Sequence, residues 1–238
     1  MDTPDHRSDH RSDHTPQVPT LFVIGDSISI DYGPALEKCL AGMFRYDRLG
    51  GTDVSRAHRD LPAGANGGDS AMVLAHLERL AVTERFRPDW LLVNCGLHDI
   101  KRDPKTGEVN IAPDAYQRNL ERIAVQMTAA SRNPVWVRTT PVDDDRHNAL
   151  MQQFHRFAVD VREYNLLADA VFAARGIPAI DLYGLSLRLG PSGFCDHVHY
   201  VEEVRASQAA FIAGHLAAWI PAQRSGAGAE QRGQQRFL

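Results

Sequence analysis

Apolar residues recur along the chain in two rhythms. Residues 21–24 (LFVI), "DWLLVNCG" from 89, "PVWVRTTP" from 134 and "IPAIDL" from 177 are short runs, bounded by Gly, Pro, Asp or Thr. Runs of this length without polar alternation read as strands buried on both faces. "FRYDRLG" from 44 reads as one more strand. Between these runs the apolar positions move to three- and four-residue spacing, the helical period. "GPALEKCLAGM" from 33 predicts a first helix, and "DSAMVLAHLERL" a second with Asp69 as N-cap. Residues 113–130 carry Tyr116, Leu120, Ile123 and Met127 on one face, with Pro113 in the first turn. Residues 150–176 read as one long helix with Leu150, Phe154, Phe157, Val161 and Tyr164 inward and Gly176 at its C-cap. "EEVRASQAAFIAGHLAAWI" from 202 is the last.

Strands that alternate with helices predict an α/β fold, a five-stranded parallel sheet covered on both faces. Neither a repeat nor an internal change of composition divides it, so one domain is expected over 20–221. The polar "HRSDHRSDH" start (1–19) and the Gly/Gln/Arg-rich end (222–238) read as disordered tails. His6, His10 and His14 would share a helix face, a pattern that could hold a transition metal weakly, but a solvated tail is the simpler reading.

Composition narrows the function classes. The 238 residues are 43% hydrophobic and 24% charged with net charge −4, so no basic surface for nucleic acid is expected. No apolar run reaches membrane-spanning length, and the start lacks the apolar core of a signal peptide, so a cytoplasmic protein is expected. Cys39, Cys95 and Cys195 are odd in number and widely spaced, and read as reduced thiols. P-loop, dinucleotide fingerprint, HExxH and Gly-x-Ser-x-Gly patterns are all missing, so neither cofactor nor catalytic metal is implied. The sequence leaves the oligomeric state open.

In a parallel sheet, ligands meet the loops at the carboxyl ends of the strands. Those loops are 25–27, 50–53, 95–99, 139–142 and the stretch after 182. The first holds Gly25-Asp26-Ser27, where Asp26 or Ser27 could simply cap the following helix. Acyl transfer asks for more: a hydroxyl, an imidazole to take its proton, a carboxylate to orient that imidazole, and donors for the oxyanion. "DHVH" from 196 offers Asp196 and His199 three residues apart, a separation a turn can close, with His197 pointing elsewhere.

Four blocks now stand in order: "GDS" after the first strand, "GGDS" opening the second helix, "NCGLHD" after a central strand and "DHVH" before the last helix. Together they resemble the SGNH (GDSL-type) hydrolase family over roughly residues 20–220. The resemblance implies a flavodoxin-like three-layer α/β/α sandwich and an ester hydrolase. It makes Ser27 the nucleophile, His199 its general base and Asp196 the orienting carboxylate. The backbone N–H groups of Ser27 and Gly68 become oxyanion donors, with Gly67 the nearest rival should the register shift by one. Asp26 holds the nucleophile loop.

The third block departs from the family's Gly-x-Asn-Asp: His98 stands where the asparagine amide would be the third oxyanion donor. A neutral imidazole has one N–H to give, and a charged one would give it more strongly, with a pH-dependent rate. A ring turned away would leave the site weakened. Asn94, on the strand, is poorly placed to substitute, and Asp99 could orient His98. The polar loop from 101 to 113 favours a short acyl group on a polar or carbohydrate alcohol as substrate. An acyltransferase, or a binding protein on the same fold, are the alternatives.

Overall fold

The architecture is that of a computed structural model. Its described residues are 18–50, 62–83 and 85–233, the last thirteen by backbone alone. The tail histidines His6, His10 and His14, the strand end at 51–53 and His58 lie outside them.

Five strands form one sheet: β1 (Thr20–Ile24), β2 (Arg45–Arg48), β3 (Trp90–Val93), β4 (Asn133–Val137) and β5 (Ala179–Ile180). Their order is β2-β1-β3-β4-β5, and every pairing is parallel. All four residues of β3 are buried, as an apolar run in the sheet centre requires. The chain leaves β1 for β2 on one side and returns to β3 on the other, so the crevice beside β1 is the topological switch point.

Helices cover both faces. On one, α1 (Ser27–Cys39) packs against α7 (Glu202–Gly233), with α6 (Leu182–Arg188) beside α7. On the other, α2 (Ser70–Ala81), α3 (Pro113–Ala130) and α5 (Ala158–Ala174) pack side by side. Together with the sheet they make the three-layer sandwich, around a core that includes Leu21, Leu91, Trp136, Ile123, Phe172 and Ile212. No helix among the described residues is long and apolar enough to cross a membrane.

Four features differ from the sequence expectation. α1 begins at Ser27, not at Gly33, because the Asp26 carboxylate accepts the Ile28 N–H and caps the helix at once. The long helix expected over 150–176 is two: α4 (Asp144–Leu150) and α5, separated by 151–157. Cross-chain bonds to the intervening backbone interrupt it. His155 exchanges both backbone hydrogen bonds with Arg102 at 2.8 Å, Asn148 accepts the Arg156 N–H, and Asp144 accepts the Ala158 N–H. Leu150 is consequently exposed rather than inward. Finally, α7 runs on to Gly233, past residue 221, and α6 is an added turn where "GLSLR" had no assigned element.

Candidate active site

Four separate loops meet at the carboxyl end of β1. The loop that carries Ser27 is held tightly. Gly25 lies so close to α1 that a Cβ there would stand 2.8 Å from Ser29 Oγ, and Ser29 Oγ itself donates to the Asp26 carbonyl at 2.7 Å. This clamps Ser27 as the first residue of α1, where its N–H belongs to the turn without helical acceptors. Burial raises the Asp26 pKa, opposed by the Ile28 N–H and the charges of Arg156 and His199.

The loop before α7 delivers the imidazole. Phe194 and Tyr200 form an antiparallel bridge with stacked rings, and Cys195 N–H donates to the His199 carbonyl at 2.9 Å. Inside this hairpin, Asp196 Oδ1 accepts the N–H groups of Val198 (2.8 Å) and His199 (2.7 Å). Asp196 Oδ2 lies 2.8 Å from His199 Nδ1, and His199 Nε2 lies 2.9 Å from Ser27 Oγ. Partial burial alone would raise the Asp196 pKa. The side-chain and backbone bonds from His199, and that from Val198, outweigh it and hold the carboxyl well below the carboxylate range. Asp196 is thus a permanent anion beside the imidazole. His197 faces away: its buried ring meets the edge of His147 on α4 at 4.4 Å between centroids.

The opposite side of Ser27 is built from the other two blocks. Asn66 forms a parallel bridge with Gly25, extending the β1 edge, and Gly67 N–H donates to the Gly25 carbonyl. Gly67 therefore spends its N–H on the backbone. Gly68 adopts φ +74°, and a Cβ there would meet Met72 Sδ at 2.6 Å. Glycine is required on both counts. Its N–H donates to Asn66 Oδ1 at 3.0 Å, while Asn66 Nδ2 stands 3.5 Å from His98 Nε2.

His98 is buried rather than turned out to solvent, only 4% exposed. Burial first, then the charges of Lys101, Arg156 and His199, push its pKa down to about 2, so the ring is neutral at any ordinary pH. Its loop is fixed from several directions. Asn110 Nδ2 donates to the His98 carbonyl and Arg156 Nε to that of Leu97. Asp99 does not turn to His98. Its Oδ1 accepts the Ser70 N–H at 2.9 Å and so anchors the start of α2, while burial pushes its pKa up to about 7. Asn94 is spent on the Val137 carbonyl at 2.8 Å.

A cleft of about 510 Å³ opens beside His98 and is bordered by Asp69, Lys101, Asp103, Glu108, Asn110 and Gln153. Reasoning from sequence brought Ser27, Gly68, His98, Asp196 and His199 to this one end of the sheet. It missed Asn66, whose signal was an asparagine directly before two glycines ahead of the second helix. It also missed Arg156, hidden in what read as a helix face.

The model of the GDSL-like lipase/acylhydrolase family matches residues 23–203. The chain belongs to that family. It is a GDSL-type hydrolase, from a family that acts on ester bonds. Solved structures agree in fold. The lipase/acylhydrolase from Enterococcus faecalis superposes with a TM-score of 0.61 at 18% identity, over 83% of this chain and 95% of that one. LAE5, an alpha/beta hydrolase from the Lake Arreo metagenome, gives 0.60 at 16%, over 82% and 95%. Est24, a carbohydrate acetylesterase from Sinorhizobium meliloti, gives 0.60 at 13%, over 85% and 100%. No curated protein matches the sequence. At these identities the structural neighbours speak for the fold of this GDSL hydrolase, and its chemistry has to be argued from its own residues.

Proposed function

We propose that this chain is a serine ester hydrolase that works through an acyl-serine intermediate. The observation that carries the reading is the unbroken chain Ser27 Oγ, His199 Nε2, His199 Nδ1, Asp196 Oδ2, with a 2.9 Å step between residues 172 apart in sequence and a 2.8 Å step between residues three apart. Nε2 accepts the hydroxyl proton as Oγ attacks the acyl carbonyl. The ionised Asp196 accepts the Nδ1–H, which fixes the tautomer and stabilises the imidazolium. His199 then gives the proton to the departing alcohol oxygen. Water enters, loses a proton to Nε2 and attacks the acyl-serine, and the acid leaves as His199 returns that proton to Ser27 Oγ.

Negative charge on the carbonyl oxygen is met by the Ser27 N–H at the head of α1 and by the Gly68 N–H. The latter can serve Asn66 Oδ1 and an oxyanion in a three-centre bond. A further side-chain donor comes from the His98 side of the site. The polar and charged rim of the adjoining cleft supports a short acyl group on a polar alcohol, a carbohydrate ester being the best fit. The carbohydrate acetylesterase among the structural neighbours accords with this choice.

The test is hydrolysis of a 4-nitrophenyl ester series from acetate to decanoate by the protein and by Ser27→Ala. Short esters turned over by the protein alone are expected. Equal inertness of both proteins would sink the hydrolase reading and favour a binding role. Diversion of the acyl group to added alcohol would make it a transferase.

A further inference from the structure

We propose that the side-chain amide of Asn66, and not the ring of His98, is the third oxyanion donor, with His98 as the acceptor that aims it. The inference rests on the serine-hydrolase reading and refines its oxyanion side.

Two hydrogen bonds carry it. The Gly68 N–H can only donate, so the atom of Asn66 that it meets at 3.0 Å is the amide oxygen. That fixes the amide: the other end, toward His98 Nε2 at 3.5 Å, is the NH2 group. An amide nitrogen only donates, so Nε2 of the facing ring is the acceptor and carries no proton. The neutral ring holds its single proton on Nδ1. Nε2 is the outer nitrogen of the ring, the one reaching furthest from its own backbone, and it is not a donor in this arrangement. His98 thus has the wrong polarity at its tip to replace the asparagine amide that the family pattern would put at that position.

Asn66 has the right polarity. It lies in the bridge with Gly25, two residues before Ser27 on the neighbouring strand edge, and its side chain is buried. Its backbone is pinned through Gly67 to the Gly25 carbonyl, and its side chain through Oδ1 to Gly68. Two N–H groups on one nitrogen allow it to hold His98 and to meet a developing oxyanion. The amide that the third block lacks is supplied from the second block. His98 then acts through Asn66 and is a positioning residue.

The experiment compares Asn66→Ala, Asn66→Asp, His98→Ala and the Asn66→Ala/His98→Ala double variant on 4-nitrophenyl acetate, with melting temperatures alongside. Loss of one oxyanion donor costs roughly 10²–10³-fold in kcat. We expect that loss in both Asn66 variants with KM changed less than about threefold. Asn66→Asp keeps an acceptor for the Gly68 N–H but replaces the amide NH2 by a carboxylate oxygen that cannot donate, so activity within threefold of wild type there would overturn the proposal. For the double variant we expect no further loss beyond Asn66→Ala. Losses that multiply would mean that His98 donates by itself, and would also overturn it. Should the Asn66 variants fail to fold, nitrogen-15 spectra of the histidines in the wild-type protein decide, with His98→Asn giving the assignment. A proton on His98 Nδ1 supports the proposal and one on Nε2 overturns it. If wild type is active and Ser27→Ala is not, a failure belongs to Asn66 alone. If both are inert, the hydrolase reading and the donor role fall together.

Discussion

Ser27 has two differently built sides. On its proton side stand His199 and Asp196, both inside one hairpin of nine residues between Gly193 and Val201, whose backbone N–H groups also bind Asp196. Every bond there is 2.7–2.9 Å. On its oxyanion side, Gly68, Asn66 and His98 come from two loops on different strands, and their contacts run from 3.0 to 3.5 Å. The first side is a local motif that a short stretch of sequence encodes by itself. The second exists only once β2 and β3 pair on either side of β1 and bring their loops together.

This contrast is open to attack at both ends. The largest effect belongs to the proton side. Ser27→Ala or His199→Ala should lower kcat by about 10⁴-fold or more in ester hydrolysis, with the double variant no worse than either single one. Asp196→Asn follows, at about 10³–10⁴-fold, because the amide can present its NH2 to Nδ1 and trap the wrong tautomer. A far smaller loss on ester assay would mean that the short bonds there are structural. On the oxyanion side, Gly68→Ala should cost about 10²-fold. It forces a side chain into φ +74° and against Met72, shifting the donor without touching the proton relay. Its signature is a lower kcat with an unchanged pH profile.

The smaller effects concern the scaffold of that side. Arg156→Met leaves the buried Leu97 carbonyl without its 2.8 Å donor and should cost about 2 kcal/mol in urea unfolding. His98 adds a pH term. Its folded pKa of about 2 lies below the ordinary histidine value near 6.5. The unfolded chain therefore takes up a proton that the folded one refuses, and the stability held above pH 6.5 is lost as pH falls toward 2. Between pH 7 and 5 the wild type should lose on the order of 2 kcal/mol more than His98→Asn, read by urea unfolding at the two pH values. For the same reason the rate should show no inflection from His98 between pH 5 and 8, contrary to what an exposed histidine would give.

The two sides were unequally legible in the sequence. The strands follow from short apolar runs and their parallel pairing from their alternation with helices, and Asp69 and Pro113 mark helix starts that the structure keeps. Asp196 and His199 stand three residues apart, a separation a turn can close, and the family resemblance implied their roles. Asn66 could not be placed in this way, because its partners Gly25 and His98 are brought to it by sheet pairing, which single-sequence periodicity does not see. The break between α4 and α5 was hidden for a similar reason. The helical spacing of 150–176 is real, but bonds from Arg102 to His155 claim the backbone there. α1 starts early because one capping bond from Asp26 outweighs the weak helical pattern of "SISIDYG".

The Ser27 hydroxyl and the His199 imidazole sit 172 residues apart, one opening the first helix and the other just ahead of the last. During synthesis Ser27 leaves the ribosome long before His199 exists, and α1 stays without the helix it packs against until α7 has emerged. A nascent chain therefore has a hydroxyl with no base beside it. On the proposed mechanism the Ser27–His199 pair forms only when the last loop reaches the first, so the onset of ester cleavage would report that docking.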